Sequence, residues 1–228
     1  MAKINKMILG KVSGSLGDIT FRQRNGKNYL ASRPGSFTPA SDQVSIDRRA
    51  KFALSVRLAS IINSIPQLKE VWASRTPNGS TPYNYIVKTN YKFLTPSDIT
   101  ENTLLTPGFG FGLQVSFITL TASNLQVNIE PVGTNAGIEL SLEKNIQLLS
   151  LLAMSGANNE AVDDLFIVPL LSDLKPLVLD TTINFTIPLS NQISQLYGKY
   201  DTHKALLALV TLDENNGVVH YSNTYYQQ

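Results

Sequence analysis

Apolar and polar positions follow a strand period in the first 34 residues, a helical period to about residue 94, and a strand period again thereafter. Residues 8–34 are punctuated by Gly10, Gly14 and Gly17 and lead into a strand-like stretch at Ile19, Thr20 and Phe21. Arg24-Asn25-Gly26-Lys27 predicts a tight hairpin, because Asn-Gly supplies the two positive φ angles of a type I′ turn. Counting outward pairs Phe21 with Leu30 and Arg22 with Tyr29. Ile19, Phe21 and Leu30 then share one face, while Arg22, Arg24 and Lys27 lie on the other side or at the tip.

Thr38-Pro39 closes that unit, and Ser41 with Asp42 is a cap for a helix running to about Ser64. Phe52, Val56, Ala59 and Ile62 recur at helical spacing, joined by Leu54, Leu58, Ile61 and Ile65, which predicts a wide apolar face packed on two sides. Arg48, Arg49, Lys51 and Arg57 decorate its first half. Pro66 starts a short helix through Trp72, and Thr81-Pro82 opens a third to about Phe93, with Tyr83, Ile86, Val87 and Tyr91 on one stripe. Between them, residues 76–80 form an exposed turn.

Past residue 94 the pattern becomes short runs of alternating or continuous apolar residues. Strands are expected at 113–120, 124–130, 137–142, 146–154, 165–170, 182–187, 205–212 and, after an Asn215-Asn216-Gly217 turn, 218–226. Residues 190–196 read as a short helix or loop across one end. The fold class is therefore α+β: an N-terminal β-hairpin arm and helices, followed by an all-β immunoglobulin-like sandwich. The expected division is a hairpin-plus-helices region at 1–97 and a sandwich at 98–228.

Charge sharpens that division. Residues 1–100 hold 15 basic against 5 acidic residues, a balance of +10, and the remaining 128 hold 4 against 12, a balance of −8. Polarity of this kind favours head-to-tail association, or one end facing a polyanion, because complementary fields steer and orient partners. At 43% hydrophobic and 16% charged the chain is globular rather than disordered. Neither a membrane-spanning run nor a secretory signal is expected.

Candidate chemistry is sparse. Without cysteine there is no disulfide, thiolate metal site or cysteine nucleophile, and His203 and His220 are the only imidazoles. Both are expected on loop or strand surfaces. Gly108, Gly110 and Gly112 form a GxGxG run before an antiparallel strand, so it reads as a flexible linker rather than a dinucleotide loop. Gly14-Ser15-Leu16-Gly17 reads as a kinked strand or bulge. The acidic groups Glu160 with Asp163-Asp164, and Asp213-Glu214, lack EF-hand spacing and read as solvated turns. No catalytic residue, metal or cofactor is called for, and no enzyme is expected. Tyr197, Tyr200, Tyr221, Tyr225 and Tyr226 crowd the last third, where aromatics serve sugar stacking or protein interfaces. Tyr221 and Tyr225 are placed on one face of the last strand, and Tyr225 and Tyr226 are expected to be buried against a neighbour, since a last strand often pairs with one.

KINKMILGKVSGSLGDITF (residues 3–21), Tyr29 with the residues up to Pro34, and RRAKFALSVR (residues 48–57) resemble a domain family frequent in Bacteroidetes genomes and their phages. TINFTIPLS (182–190), ALLALVTLDENNG (205–217) and VVHYSNTYY (218–226) are similar to the closing strands of its immunoglobulin-like domain. The resemblance implies a phage-linked structural role, as in structural proteins of crAss-like phages, and carries no catalytic residue.

These readings converge on an expectation: a multi-copy virion protein of a tailed bacteriophage, either an auxiliary head (capsid) protein or a connector or tail ring. It would be made in the bacterial host cytoplasm and reside in the virion. Its partners would be copies of itself and other virion proteins; any nucleic-acid contact would be through phosphates and not sequence-specific, and no membrane is involved. The candidate assembly interface is Arg22, Arg24, Lys27, Tyr29, Arg48, Arg49, Lys51, Arg57, Tyr225 and Tyr226. The alternative is a carbohydrate or cell-surface binding module using the tyrosine-rich end.

Overall fold

The computed structural model describes residues 2–4, 14–24, 27–33, 38–133, 137–158 and 163–228. The chain forms two compact units, residues 1–46 and 47–228.

The first unit is an antiparallel sheet of β1 (Ala2–Ile4), β2 (Gly14–Leu16), β3 (Ile19–Arg24) and β4 (Lys27–Ser32), in the order β1-β4-β3-β2. The β3–β4 register pairs Phe21 with Leu30 and Arg22 with Tyr29, as the Asn-Gly turn predicts. Asn25 and Gly26 themselves lie outside the described residues. Gly14-Ser15-Leu16 is β2 itself, and Gly17, at φ +55°, begins the turn from β2 into β3.

Asp42 caps α1 (Gln43–Ser64), its Oδ1 accepting from the Ser45 amide at 2.9 Å. From residue 47 onward the helices belong to the second unit. Leu54, Ser55, Leu58, Ala59 and Ile62 are the buried residues of α1, whereas Phe52, expected on that face, is exposed. The helix α2 (Pro66–Arg75) runs one turn beyond the expected Trp72, and α3 (Pro82–Asn90) passes into a 3₁₀ turn at Tyr91–Phe93. Thr81 caps α3 by accepting from the Asn84 amide at 3.2 Å.

The strands form a sandwich of two sheets. A three-stranded sheet holds β10 (Ile183–Pro188), β6 (Asn124–Ile129) and β5 (Val115–Leu120), in that order. The larger, six-stranded sheet is built on β7 (Asn145–Ala157) and β11 (Tyr200–Leu212), with β8 (Leu165–Leu171) and the short β9 (Lys175–Pro176) on β7, and β12 (Val218–Tyr221) and β13 (Tyr225–Gln227) on β11. All named pairings are antiparallel.

Alternation along β7 and β11 separates two cores. Leu149, Leu151 and Ala153 with Leu206, Ala208, Val210 and Leu212 pack against α1–α3, around the fully buried Trp72. The intervening Leu148, Leu152 and Met154 with Ala205, Leu207 and Leu209 pack against Leu125, Val127, Phe185 and Ile187 of the smaller sheet. Both strands are thus covered on two faces, which explains why they are continuously apolar in sequence. The expected boundary at 97/98 does not separate the compact units. The apolar face of the helices packs on one face of the larger sheet, so helices and that sheet share a core.

Two further expectations are corrected. No strand forms at the described part of 137–142, where Leu142 and Glu143 amides both donate to the Glu139 carbonyl in a helical turn. The single strand expected at 218–226 is two, β12 and β13, which both pair with β11 of the same chain. α4 (Asn191–Tyr197) is the short helix expected across one end, capped by Ser190.

Candidate functional site

The β3–β4 register fixes where the basic positions of the first unit lie. Arg22 lies opposite Tyr29 and Arg24 opposite Lys27 on β3 and β4, so the four positions share one face of the sheet. Arg22 and Lys27 are exposed and Tyr29 is half-buried. The opposite face, with Ile19, Phe21 and Leu30, is apolar by register, yet none of these three side chains is buried. Leu16 and Ile19 are 72% and 45% exposed. Among residues 14–23 and 27–33 Asn28 alone is buried, on that same face, its side chain accepting from Gln23 Nε2 at 3.4 Å.

The basic residues of α1 divide. Arg48 and Arg49 are exposed at its first turns. Lys51 places Nζ 5.2 Å from the centre of the Tyr91 ring, a cation–π contact inside the second unit. Arg57 donates from Nη1 to the Leu165 carbonyl at 3.0 Å, tying α1 to β8. Lys51 and Arg57 therefore hold the helix to its own unit. Tyr225 and Tyr226, placed opposite Leu207 and Leu206 of β11, pack half-buried against the sandwich-side and helix-side cores respectively. Their strand pairs within the chain rather than needing a neighbour.

The tyrosine-rich end is closed to sugar stacking at two of its rings. Tyr221 and Tyr200 are buried, and Tyr221, on β12, shares no strand face with Tyr225. Tyr197 stacks on His203 with ring centroids 3.7 Å apart, and burial raises its phenol pKa above the ordinary value. The pKa of Tyr200 is raised too, chiefly by burial and then by the charge of Asp163.

Sequence reasoning missed a second cluster, at the meeting of α2, the loop at Gly108–Phe111 and β12. Arg75 Nε donates to Tyr221 Oη at 2.9 Å, and Tyr221 donates to the Gly108 carbonyl at 3.3 Å. Glu70 Oε2 accepts from the Val218 amide at 3.3 Å. His220 donates from Nδ1 to Glu143 Oε1 at 3.0 Å, an oxygen that also accepts from the Glu139 amide at 2.8 Å. That carboxylate is fully buried and fixes the imidazole tautomer, leaving Nε2 free of it. These residues surround a cavity of about 570 Å³ lined by Glu70, Val71, Ser74, Arg75, Phe109, Phe111, Val219 and His220, among others.

The GxGxG run is one wall of that cavity, and it is pinned rather than flexible. The Gly110 amide donates to Asn223 Oδ1 at 3.0 Å, the Phe111 amide to the Tyr221 carbonyl at 3.0 Å, and the Asn223 amide to the Phe111 carbonyl at 2.8 Å. A Cβ on Gly110 would lie 2.5 Å from the Ser222 carbonyl carbon, so only glycine allows this approach of two backbones. Asp213, from the other acidic group, turns its Oδ1 to the amides of Asn215 and Gly217, both at 2.8 Å, and so organises the β11–β12 turn. Among the described residues no helix is long and apolar enough to cross a membrane.

No protein-family model matches the chain, and no curated protein matches it significantly.

Proposed function

We propose that this chain is a structural, non-enzymatic protein used in many copies in the particle of a tailed bacteriophage, as an auxiliary head protein or a connector or tail ring component. The observation that carries the reading is the first unit. None of the apolar side chains at 14–23 and 27–33 is fully buried, and Leu16 and Ile19 are exposed, yet a sheet of this size needs an apolar face covered to be stable. It is also basic, with 7 basic against 2 acidic residues in 1–46, while 47–228 carries 12 against 15. A positive ribbon with Leu16 and Ile19 exposed on its apolar face, on a chain whose remainder is net negative, suits docking onto the next copy. Opposite fields bring the two together, and burial of Leu16, Ile19, Phe21 and Leu30 stabilises the contact. The resemblance of residues 3–21, 29–34, 48–57, 182–190 and 205–226 to a phage-linked family supports placing that assembly in a virion. Sugar binding finds less support, because Tyr221 and Tyr200 are buried.

Mass spectrometry of purified particles tests the proposal. The chain is expected among the abundant structural components, and its absence from intact particles would overturn the reading.

A further inference from the structure

Phe109 is the most exposed large apolar side chain described, at 91%, and its backbone is left-handed, with φ at +75°. Each property is unfavourable. A bulky residue at positive φ is strained, and an aromatic ring in water forgoes its burial. The backbone on its carboxyl side is clamped to 221–223, so the ring is presented on a fixed support at the rim of the cavity it helps to line, which is open enough to receive a second ring of the same size. Knob and hole therefore occupy one patch. The same patch carries Glu70 and Arg75, of opposite sign and on the same helix, and is balanced in charge.

A two-fold contact requires a patch that matches itself, and a knob, a hole and charges of both signs on one patch are the elements such a match needs. We infer that two copies of this chain associate face to face there, each inserting Phe109 into the other's cavity beside Val71, Phe111 and Val219, with Glu70 of one copy meeting Arg75 of the other. A buried aromatic anchor ringed by polar residues is the usual centre of a protein interface. The inference rests on the multi-copy reading and adds a second kind of contact to it: the ribbon contact is head-to-tail, this one two-fold.

The test uses the full chain, which has no cysteine of its own. In sedimentation equilibrium the wild type is expected to dimerise, and Phe109→Gly to weaken the dimer by roughly 30-fold or more, the scale of losing an interface anchor. Glycine suits this backbone, so loss of folding does not explain that loss. Mixing a Phe109→Cys chain with a Ser74→Cys chain under mild oxidation is expected to give a disulfide-linked heterodimer faster than either variant links to itself. An unchanged dimer constant in Phe109→Gly, a wild type that stays monomeric at millimolar concentration, or a mixture that links no faster than its components would each overturn the inference. Leu16→Ser with Ile19→Ser leaves the cross-link intact if the two contacts are separate, and loses it if the ribbon makes the dimer, which would overturn the inference. Absence of the chain from particles while the cross-link forms would sink the virion reading and leave the two-fold contact standing.

Discussion

The two compact units solve the problem of burial in opposite ways. Residues 47–228 cover both faces of β7 and β11 and enclose two hydrophobic clusters, whereas residues 1–46 pair their backbone into four strands and leave Leu16 and Ile19 exposed. Backbone hydrogen bonding alone contributes little net stability in water, because the unfolded chain makes the same bonds to solvent. The second unit therefore holds the larger described core, and the docking proposed above would cover the exposed side chains of the first.

Substitutions separate these roles, beginning with the strongest. Trp72 is fully buried, donates to the Leu105 carbonyl at 2.9 Å and meets Tyr85 edge-on at 5.7 Å. Trp72→Ala is expected to cost about 3–5 kcal/mol in urea denaturation followed by circular dichroism; a loss under about 1 kcal/mol would mean the helices are not part of the core. Asp98→Ala comes next. Asp98 accepts from Lys204 Nζ at 2.6 Å and from Ser155 Oγ at 2.7 Å, and its removal leaves a largely buried ammonium without its carboxylate, for about 2 kcal/mol. The Lys204→Met, Asp98→Ala pair should recover part of that loss, and failure to recover any would assign the effect to the loop alone.

Phe109→Gly is expected to raise the stability of the monomer by roughly 1 kcal/mol, by relieving the positive φ. Chemical denaturation at a concentration below the dimer constant measures it, and a destabilised variant would show that the ring is held by its own chain. The smallest effect belongs to the ribbon. Leu16→Ser with Ile19→Ser should shift unfolding of the free protein by less than about 0.5 kcal/mol, yet lower its incorporation into particles. A large loss of free-protein stability would erase the contrast between the units.

What sequence made legible follows from how local each determinant is. The β3–β4 register was readable because an Asn-Gly turn and alternation agree, and α1 because Asp42 caps it and Pro39 precedes it. The continuous apolar runs of β7 and β11 showed a sandwich core, though a second covered face, packed by the helices, was not evident from them. Other features depend on distant partners. Phe52 fits the helical period as well as Leu54 does, and only the position of the sheet decides which is buried. Ile138, Leu140 and Leu142 alternate like a strand, but Glu143, reaching His220 some 77 residues away, fits the chain to a turn there. The composition change near residue 95 marked a switch of secondary structure, which the shared core then bridges. The Gly108–Phe111 loop looked unstructured for the same reason: its clamp is supplied by Tyr221, Ser222 and Asn223.

β7 and β11 run antiparallel over 12 paired positions, and both the helical layer and the small sheet hang from them. Such a spine leaves no layer able to peel away while the others persist, so heat or mechanical load should find the body intact until it gives way in one step. In the particle proposed above, such behaviour would show damage as missing copies rather than as softened ones.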